Sequence, residues 1–201
     1  MLQPLPPGTD RFAIFGLPLR YEIDPADLEK RFRQLSWEVH PDRHAQASPR
    51  ERRIALERTT ALNDAYRTLR DPLRRAAYLL ELHGLKIESE GSRESAMAAG
   101  REAGQQARPR IVGLPPEFLE EIMELREGLV EARAEGDEAA VQRLVLTVRE
   151  RKAAAVGSVE EALRDLPERP DPARLAAAGS ALARIRYYDR FDAEVEGRRE
   201  D

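Results

Sequence analysis

The sequence contains no cysteine, and aromatic residues make up only 5% of it. Without cysteine the chain can form no disulfide, no cysteine-ligated zinc site and no iron–sulfur cluster held by its own thiolates. No apolar run approaches the roughly 20 residues that span a bilayer, and the opening residues do not have the pattern of a signal peptide. We therefore expect a soluble cytoplasmic protein that carries no cofactor and does not bind membranes.

Charge is abundant but nearly balanced, since 35% of the residues are charged and the formal net charge is −4. This balance gives no reason to expect binding to nucleic acid. The signs are unevenly distributed along the chain. Residues 1–86 hold 15 basic and 12 acidic side chains, a net charge of +3, whereas the remainder holds 18 and 25, a net charge of −7. This asymmetry predicts two units with different partners.

The first half of the sequence predicts three amphipathic helices. In the first of them, apolar residues recur at spacings of four, three and four, which is typical of one buried stripe. Each helix begins with a capping side chain that is followed by proline at the first helical position. These pairs are Asp24–Pro25, Ser48–Pro49 and Asp71–Pro72.

The loop "HPDRHAQA" joins the first two helices and contains two of the three histidines. The first helix has to end near His40, because a residue before proline is disfavoured in the α region. Two antiparallel helices with this loop at their joined tips are the simplest arrangement. Opposite the apolar stripe of the first helix lie Lys30, Arg33 and Trp37, which give it a basic face with one aromatic ring.

The second half predicts a linker and a further group of helices. Residues 86–113 lose the periodicity and are rich in Ala, Gly, Arg and Glu, as in a linker or mobile insert. Three helices joined by short turns then form an antiparallel bundle. The predicted fold class is all-α, with an N-terminal helical hairpin in residues 1–85 and a bundle in residues 114–201. The bundle helices are expected near 116–135, 138–165 and 172–195.

The tripeptide His40-Pro41-Asp42 between two such helices, followed by "LNDAYRTLRDPLRRAAYL", resembles a J-domain. J-domains dock on DnaK-type chaperones and stimulate their ATP hydrolysis. The segments "LRDPLRRAAYLLELHG", "FLEEIMELREGL" and "RIRYYDRFDAEV" follow in an order similar to the HscB family, the J-domain co-chaperones of iron–sulfur cluster assembly. In that family a C-terminal three-helix bundle binds the IscU-type scaffold. Eukaryotic relatives carry an N-terminal cysteine motif that this chain lacks, so the bacterial type fits better.

The resemblance implies that His40, Pro41 and Asp42 engage an HscA/DnaK-type chaperone. Pro41 fixes one φ angle and stiffens the loop, and the Asp42 carboxylate can accept a bidentate pair from an arginine of the partner. The basic face of Lys30 and Arg33 would meet an acidic patch on the chaperone.

Two residues near the tripeptide depart from the usual J-domain pattern. Glu38 stands where such domains often carry lysine, and together with Trp37 it indicates a specialised chaperone partner. A metal site at His40, Asp42 and His44 is the alternative for this loop. It is disfavoured because few further ligands with matching spacing stand nearby. A second alternative is that His40 only caps a helix end.

The first bundle helix has more apolar surface than a small bundle needs. At about 100° per residue, one apolar stripe forms the natural core face, namely Phe118, Ile122, Leu125 and Leu129. A second apolar group, Leu119, Met123 and Val130, lies about 100–140° further round. Beyond it runs an acidic stripe of Glu120, Glu124, Glu127 and Glu131. Such a surface suits a partner with apolar and basic groups side by side.

The pattern alone leaves an alternative open, in which Leu119 and Met123 pack on the linker or the J-domain and the glutamates are a solvated face. The resemblance favours a binding role, because the scaffold-contacting positions of the family match seven residues here. They are Leu119, Glu120, Met123, Glu124, Glu127, Glu131 and Tyr187.

Two other functions compete with a co-chaperone of cluster assembly. One is a general J-domain adaptor that delivers other client proteins to DnaK. The other is a structural dimerisation unit, which is disfavoured because the apolar stripes are too short and too often interrupted for a long coiled coil. An enzyme is not expected, since no nucleophile–base pair or carboxylate constellation has convincing spacing.

Overall fold

The computed structural model describes residues 2–87, 110–167 and 169–197. The chain divides into two compact units, Met1–Leu79 and Leu80–Asp201, and the division falls inside a helix. The boundaries 1–85, 86–113 and 114–201 stay a prediction. Within the described ranges, no helix is both long enough and apolar enough to cross a membrane.

The first unit is built from helices whose ends follow the predicted caps. The Asp24 carboxylate accepts a hydrogen bond from the Ala26 N–H at 2.8 Å. Ser48 and Glu51 form a reciprocal capping box, as their sequence spacing predicts. The helices are α1 (Arg11–Ile14), α2 (Pro25–Val39), a 3₁₀ turn (Pro41–His44), α3 (Pro49–Arg70) and α4 (Pro72–Leu82).

Helices α2 and α3 pack side by side in opposite directions, as predicted. The rings of Phe32 and Tyr66 are stacked with their centroids 4.0 Å apart. Near the other end, the Thr59 hydroxyl lies 3.1 Å from the Val39 carbonyl oxygen. One contact thus joins the middle of α2 to the end of α3, and the other joins the end of α2 to the middle of α3. Leu28 and Val39, the first and last residues of the apolar stripe predicted for α2, are buried, and the loop lies at the joined tips.

The second unit contains a three-helix bundle and a short strand pair. The all-α prediction is confirmed, and the first and third bundle helices have the expected bounds. The second ends at Leu163, two residues earlier than predicted. The elements are β1 (Leu85–Ile87), β2 (Arg110–Val112), α5 (Pro116–Glu135), α6 (Glu138–Leu163) and α7 (Pro172–Val195).

The strand pair was not predicted. β1 and β2 are parallel, with Leu85 opposite Arg110 and Ile87 opposite Val112. Each strand has three residues, which is too short for the alternation of apolar and polar side chains to stand out in a sequence. Both strands overlap the ends of the predicted linker, and its central part, residues 88–109, lies outside the described residues.

Ion pairs join the three bundle helices across their seams. Arg151 of α6 lies 2.5 Å from Glu121 of α5. Lys152 of α6 lies 2.5 Å from Asp189 of α7. Burial would lower the pKa of Lys152, but its bonds to Asp189 and Asp192 outweigh burial and raise that pKa. Between α6 and α7, Lys152 pairs with Asp189, whereas Arg174 at the start of α7 donates to the Ala162 carbonyl oxygen near the end of α6. Later residues of α6 thus meet earlier residues of α7, so these two helices are antiparallel, as predicted.

We expect two adjacent residues of α5 to differ sharply in their contribution to stability. Leu129 is 0% exposed and Val130 is 63% exposed. Leu129→Ala should lower the free energy of unfolding by about 2–5 kcal/mol, because it leaves a cavity in the core. Val130→Ala should change it by less than about 0.5 kcal/mol. Urea denaturation followed by circular dichroism measures both, and equal effects would contradict the assignment of the core face.

Candidate functional site

The tip between α2 and α3 presents a histidine and an aspartate side by side. His40 leaves the helix with φ −58° and ψ 128°, and Pro41 opens the 3₁₀ turn behind it. The backbone N–H of Asp42 donates to His40 Nδ1 at 3.3 Å. The Asp42 carboxylate lies 3.7 Å from the same nitrogen, and 91% of the Asp42 side chain is exposed. His40 therefore does cap the turn through Nδ1, and the Asp42 carboxylate beside this cap is exposed to solvent.

The outer face of α2 carries the predicted basic and aromatic residues. Lys30, Arg33 and Trp37 are all exposed. Arg33 lies 3.4 Å from Glu29, and the two form an exposed ion pair one helical turn apart. Such surface pairs contribute little to the stability of the fold. Arg31 on the neighbouring face has a structural role, since it donates to the Phe15 carbonyl oxygen at 2.9 Å.

Sequence reasoning missed one residue of this tip. The guanidinium carbon of Arg43 lies 3.5 Å from the centroid of the Trp37 ring. Trp37 remains 64% exposed despite this contact. The two residues are six apart and separated by the turn at Pro41, so no helical spacing relates them. The only sequence signal is an arginine that follows the tripeptide directly.

The second histidine of the loop hydrogen-bonds to the backbone. His44 Nε2 lies 3.1 Å from the Glu38 carbonyl oxygen at the end of α2. Over the described residues, no group of three or more His, Asp or Glu side chains is arranged to hold a metal ion. His83, the third histidine, follows the last residue of α4.

Helix α5 separates its two apolar groups as predicted. The core stripe of Phe118, Ile122, Leu125 and Leu129 is buried. The other group forms an apolar ridge at the surface, with Leu119 41%, Met123 61% and Val130 63% exposed. The helices of the bundle thus leave Leu119 and Met123 exposed, and the linker on which they were alternatively expected to pack lies mostly outside the described residues.

An acidic flank of four glutamates runs beside this apolar ridge. All four are exposed, and none of them forms an ion pair with another residue in the described ranges. Their spacing of four, three and four residues keeps the carboxylates on one side of the ridge. The flank consists of Glu120, Glu124, Glu127 and Glu131.

Two neighbouring tyrosines of α7 have different environments. Tyr187 is half-buried, and its ring packs edge-on against Phe118 with centroids 5.9 Å apart. It therefore lies at the rim of the bundle, beside the N-terminal end of the apolar ridge. Tyr188 is buried and donates to Glu121 at 3.3 Å. Burial, with a smaller contribution from Glu121, raises the pKa of Tyr188 to about 12.

Comparisons with known proteins agree with this two-part architecture. A DnaJ domain model matches residues 12–78, and a model described as the HscB C-terminal oligomerisation domain matches residues 114–196. A co-chaperone protein HscB homolog of Ralstonia nicotianae is 34% identical over 184 residues, which cover 92% of this chain and 90% of that protein.

Solved structures give the same result. The chaperone HscB from Vibrio cholerae has a TM-score of 0.70 and 32% identity, and the match covers 94% of this chain and 96% of that one. The crystal structure of human co-chaperone protein HscB has a TM-score of 0.69 and 29% identity, covering 96% and 84%. The resemblance drawn from the sequence is confirmed. This chain, with its J-domain in front of a helical bundle, belongs to the HscB family of co-chaperones.

Proposed function

We propose that this co-chaperone binds an IscU-type iron–sulfur scaffold and delivers it to an HscA/DnaK-type chaperone during cluster maturation. The J-domain implies an Hsp70-type chaperone as partner. The tip at His40-Pro41-Asp42 stimulates the ATPase of that chaperone, and the bundle binds the scaffold protein. The chain itself transforms no substrate, because its effect is exerted on the partner's ATP hydrolysis.

The observation that carries the scaffold assignment is the apolar ridge of α5. Leu119 and Met123 are large apolar side chains left exposed on a helix that already has a separate, buried core face. Exposed apolar surface bordered by charge is typical of a protein-binding site. The acidic flank adds specificity, since it favours a partner with basic groups next to its apolar contact. Tyr187 supplies an aromatic contact of the kind that is enriched at interfaces.

The chaperone assignment is supported by the geometry of the tip. The His40 cap orders the backbone of the turn that carries Asp42, and the Asp42 carboxylate stays exposed and accessible to a partner. An arginine of the chaperone could pair with it in a bidentate manner. Lys30 and Arg33 on the outer face of α2 would accelerate the encounter with an acidic surface.

The test combines two measurements on the full chain. Calorimetric titration of the apo scaffold into the protein should show one-to-one binding, and the chaperone's ATPase should rise on adding the protein and rise further on adding the scaffold. Stimulation without scaffold binding would support a general adaptor for other clients. Sedimentation that shows a tight dimer through the apolar ridge would instead support a structural role for the bundle.

A further inference from the structure

Val130 is the most exposed residue of the apolar ridge, and it lies beyond the residues assigned to scaffold binding. At about 100° per residue, Val130 lies between Leu119 and Met123 in angle. A rise of 1.5 Å per residue places it about 16 Å from Leu119 along the helix axis. The three apolar side chains therefore form one line over three turns of α5.

The two sides of this line near Val130 differ in available charge. On the side of α7, Arg126 lies 3.5 Å from Glu194, and Arg133 donates to the Glu194 carbonyl oxygen at 2.9 Å. Both guanidinium groups are thus engaged within the bundle. On the other side, Glu127 and Glu131 are exposed. A partner is therefore offered apolar contacts with negative charge along one edge only.

We propose, on the basis of the function proposed above, that Val130 is a third apolar contact for the scaffold. The scaffold would place an apolar side chain on Val130 and a basic side chain towards Glu127 and Glu131. A second copy of this chain fits less well. Its Arg126 and Arg133, which lie beside the ridge, are already engaged within the bundle, and an antiparallel pair would bring the two acidic flanks together. Val130 thus extends the contact by nearly two turns beyond Met123.

The experiment compares two exposed apolar residues by calorimetric titration with the apo scaffold. Val130→Ala should weaken binding about 5- to 10-fold, because it removes two apolar carbons from the interface. Leu146→Ala is the matched control, since Leu146 is 57% exposed on α6, and it should change affinity less than about 1.5-fold. Equal affinities of Val130→Ala and the wild type would overturn this inference and leave the proposed function standing. Absence of binding by the wild type would overturn both.

Separate contacts at the tip carry a second inference. Arg43 and His44 both reach back across the turn to α2, one to the Trp37 ring and the other to the Glu38 carbonyl oxygen. That carbonyl is among the last four of the helix, which have no N–H partner in the helix. His44 Nε2–H can donate to it whether or not the ring is protonated.

We infer that Arg43 and His44 are positioning residues, which hold the 3₁₀ turn against the end of α2. The turn carries Asp42, so the two contacts fix the direction in which its carboxylate leaves the tip. This inference rests on the proposed stimulation of a chaperone. A loosened turn would leave Asp42 present and charged, but the turn would then have to become ordered on binding, and this entropic cost would weaken binding to the chaperone.

The test uses the concentration of protein that gives half-maximal stimulation of the chaperone's ATPase. His44→Ala should raise this concentration about 5-fold. His44→Gln should restore it to within about 2-fold, because the glutamine amide nitrogen can replace Nε2 as donor. His83→Ala, which changes a histidine outside the tip, should have no effect.

Arg43 is tested with its partner in a double-mutant cycle. If the Arg43–Trp37 stack acts as one unit, the double variant Arg43→Ala/Trp37→Ala should raise the half-maximal concentration no more than the single substitution with the larger effect. Additive effects would show that the two side chains act independently and would overturn the role of Arg43. A His44→Ala variant that stimulates like the wild type, or a His44→Gln variant that fails like His44→Ala, would overturn the role of His44.

Discussion

Asp42→Asn should abolish stimulation of the chaperone's ATPase, lowering it at least about 10-fold at any practical concentration. The substitution keeps the shape of the side chain and removes the charge that an arginine of the chaperone would pair with. Loss of one partner of a buried charge pair weakens an interface strongly, because the other charge is left unpaired. Folding should be unaffected, since the Asp42 side chain is 91% exposed.

The control is an aspartate of the same unit that lies away from the tip. Asp64 on α3 is exposed and lies 3.8 Å from Arg67 in a surface ion pair. Asp64→Asn should therefore retain full stimulation. Scaffold binding should be unchanged in both variants. Unchanged stimulation by Asp42→Asn would remove the role assigned to the tripeptide.

Removal of the Leu119, Met123 and Tyr187 side chains together should abolish scaffold binding. In the variant Leu119→Ala/Met123→Ala/Tyr187→Ala, we expect affinity for the apo scaffold to fall at least about 100-fold. Each side chain contributes roughly 1.5–3 kcal/mol when it is fully buried by a partner, and a hundredfold loss corresponds to about 2.7 kcal/mol. Calorimetric titration measures this loss, and the same variant should stimulate the chaperone's ATPase normally when no scaffold is present.

The matched control again removes apolar side chains that are exposed elsewhere. Leu56 on α3 is 60% exposed and Leu146 on α6 is 57% exposed. Leu56→Ala/Leu146→Ala should bind the scaffold as tightly as the wild type. Because Tyr187 packs against Phe118, thermal unfolding has to show that the triple variant is folded at the temperature of the titration. Full affinity in a folded triple variant would place the scaffold elsewhere.

Local rules were enough to predict most of the fold. The caps at Asp24, Ser48 and Asp71 accept the hydrogen bonds expected of them, and a cap acts on the next three residues only. Likewise, the core stripe of α5 follows from its own spacing. Such features are predictable because cause and effect lie within one or two helical turns.

Features that depend on residues far apart in the sequence were harder to predict from it. The strand pair joins Leu85 to Arg110, so neither strand is specified by its own three residues. The Arg43–Trp37 contact requires the path of the turn, which spacing does not give. Likewise, spacing along α7 does not show that Tyr187 is half-buried against Phe118 of another helix. Each helix of a three-helix bundle packs against two others. A residue outside the apolar stripe that faces one neighbour can therefore still contact the second neighbour.

The contacts between α5 and α7 have a consequence for the rate at which a partner binds. Arg126 and Arg133 of α5 are both tied to the last turn of α7, and Phe118 meets Tyr187 at the opposite end. The two helices that carry the ridge and its aromatic neighbour are therefore fixed in register before any partner arrives. Association then needs no folding step, so its rate is set by diffusion and by the attraction of the acidic flank. Differences between ridge variants should accordingly appear in the lifetime of the complex and hardly in its rate of formation.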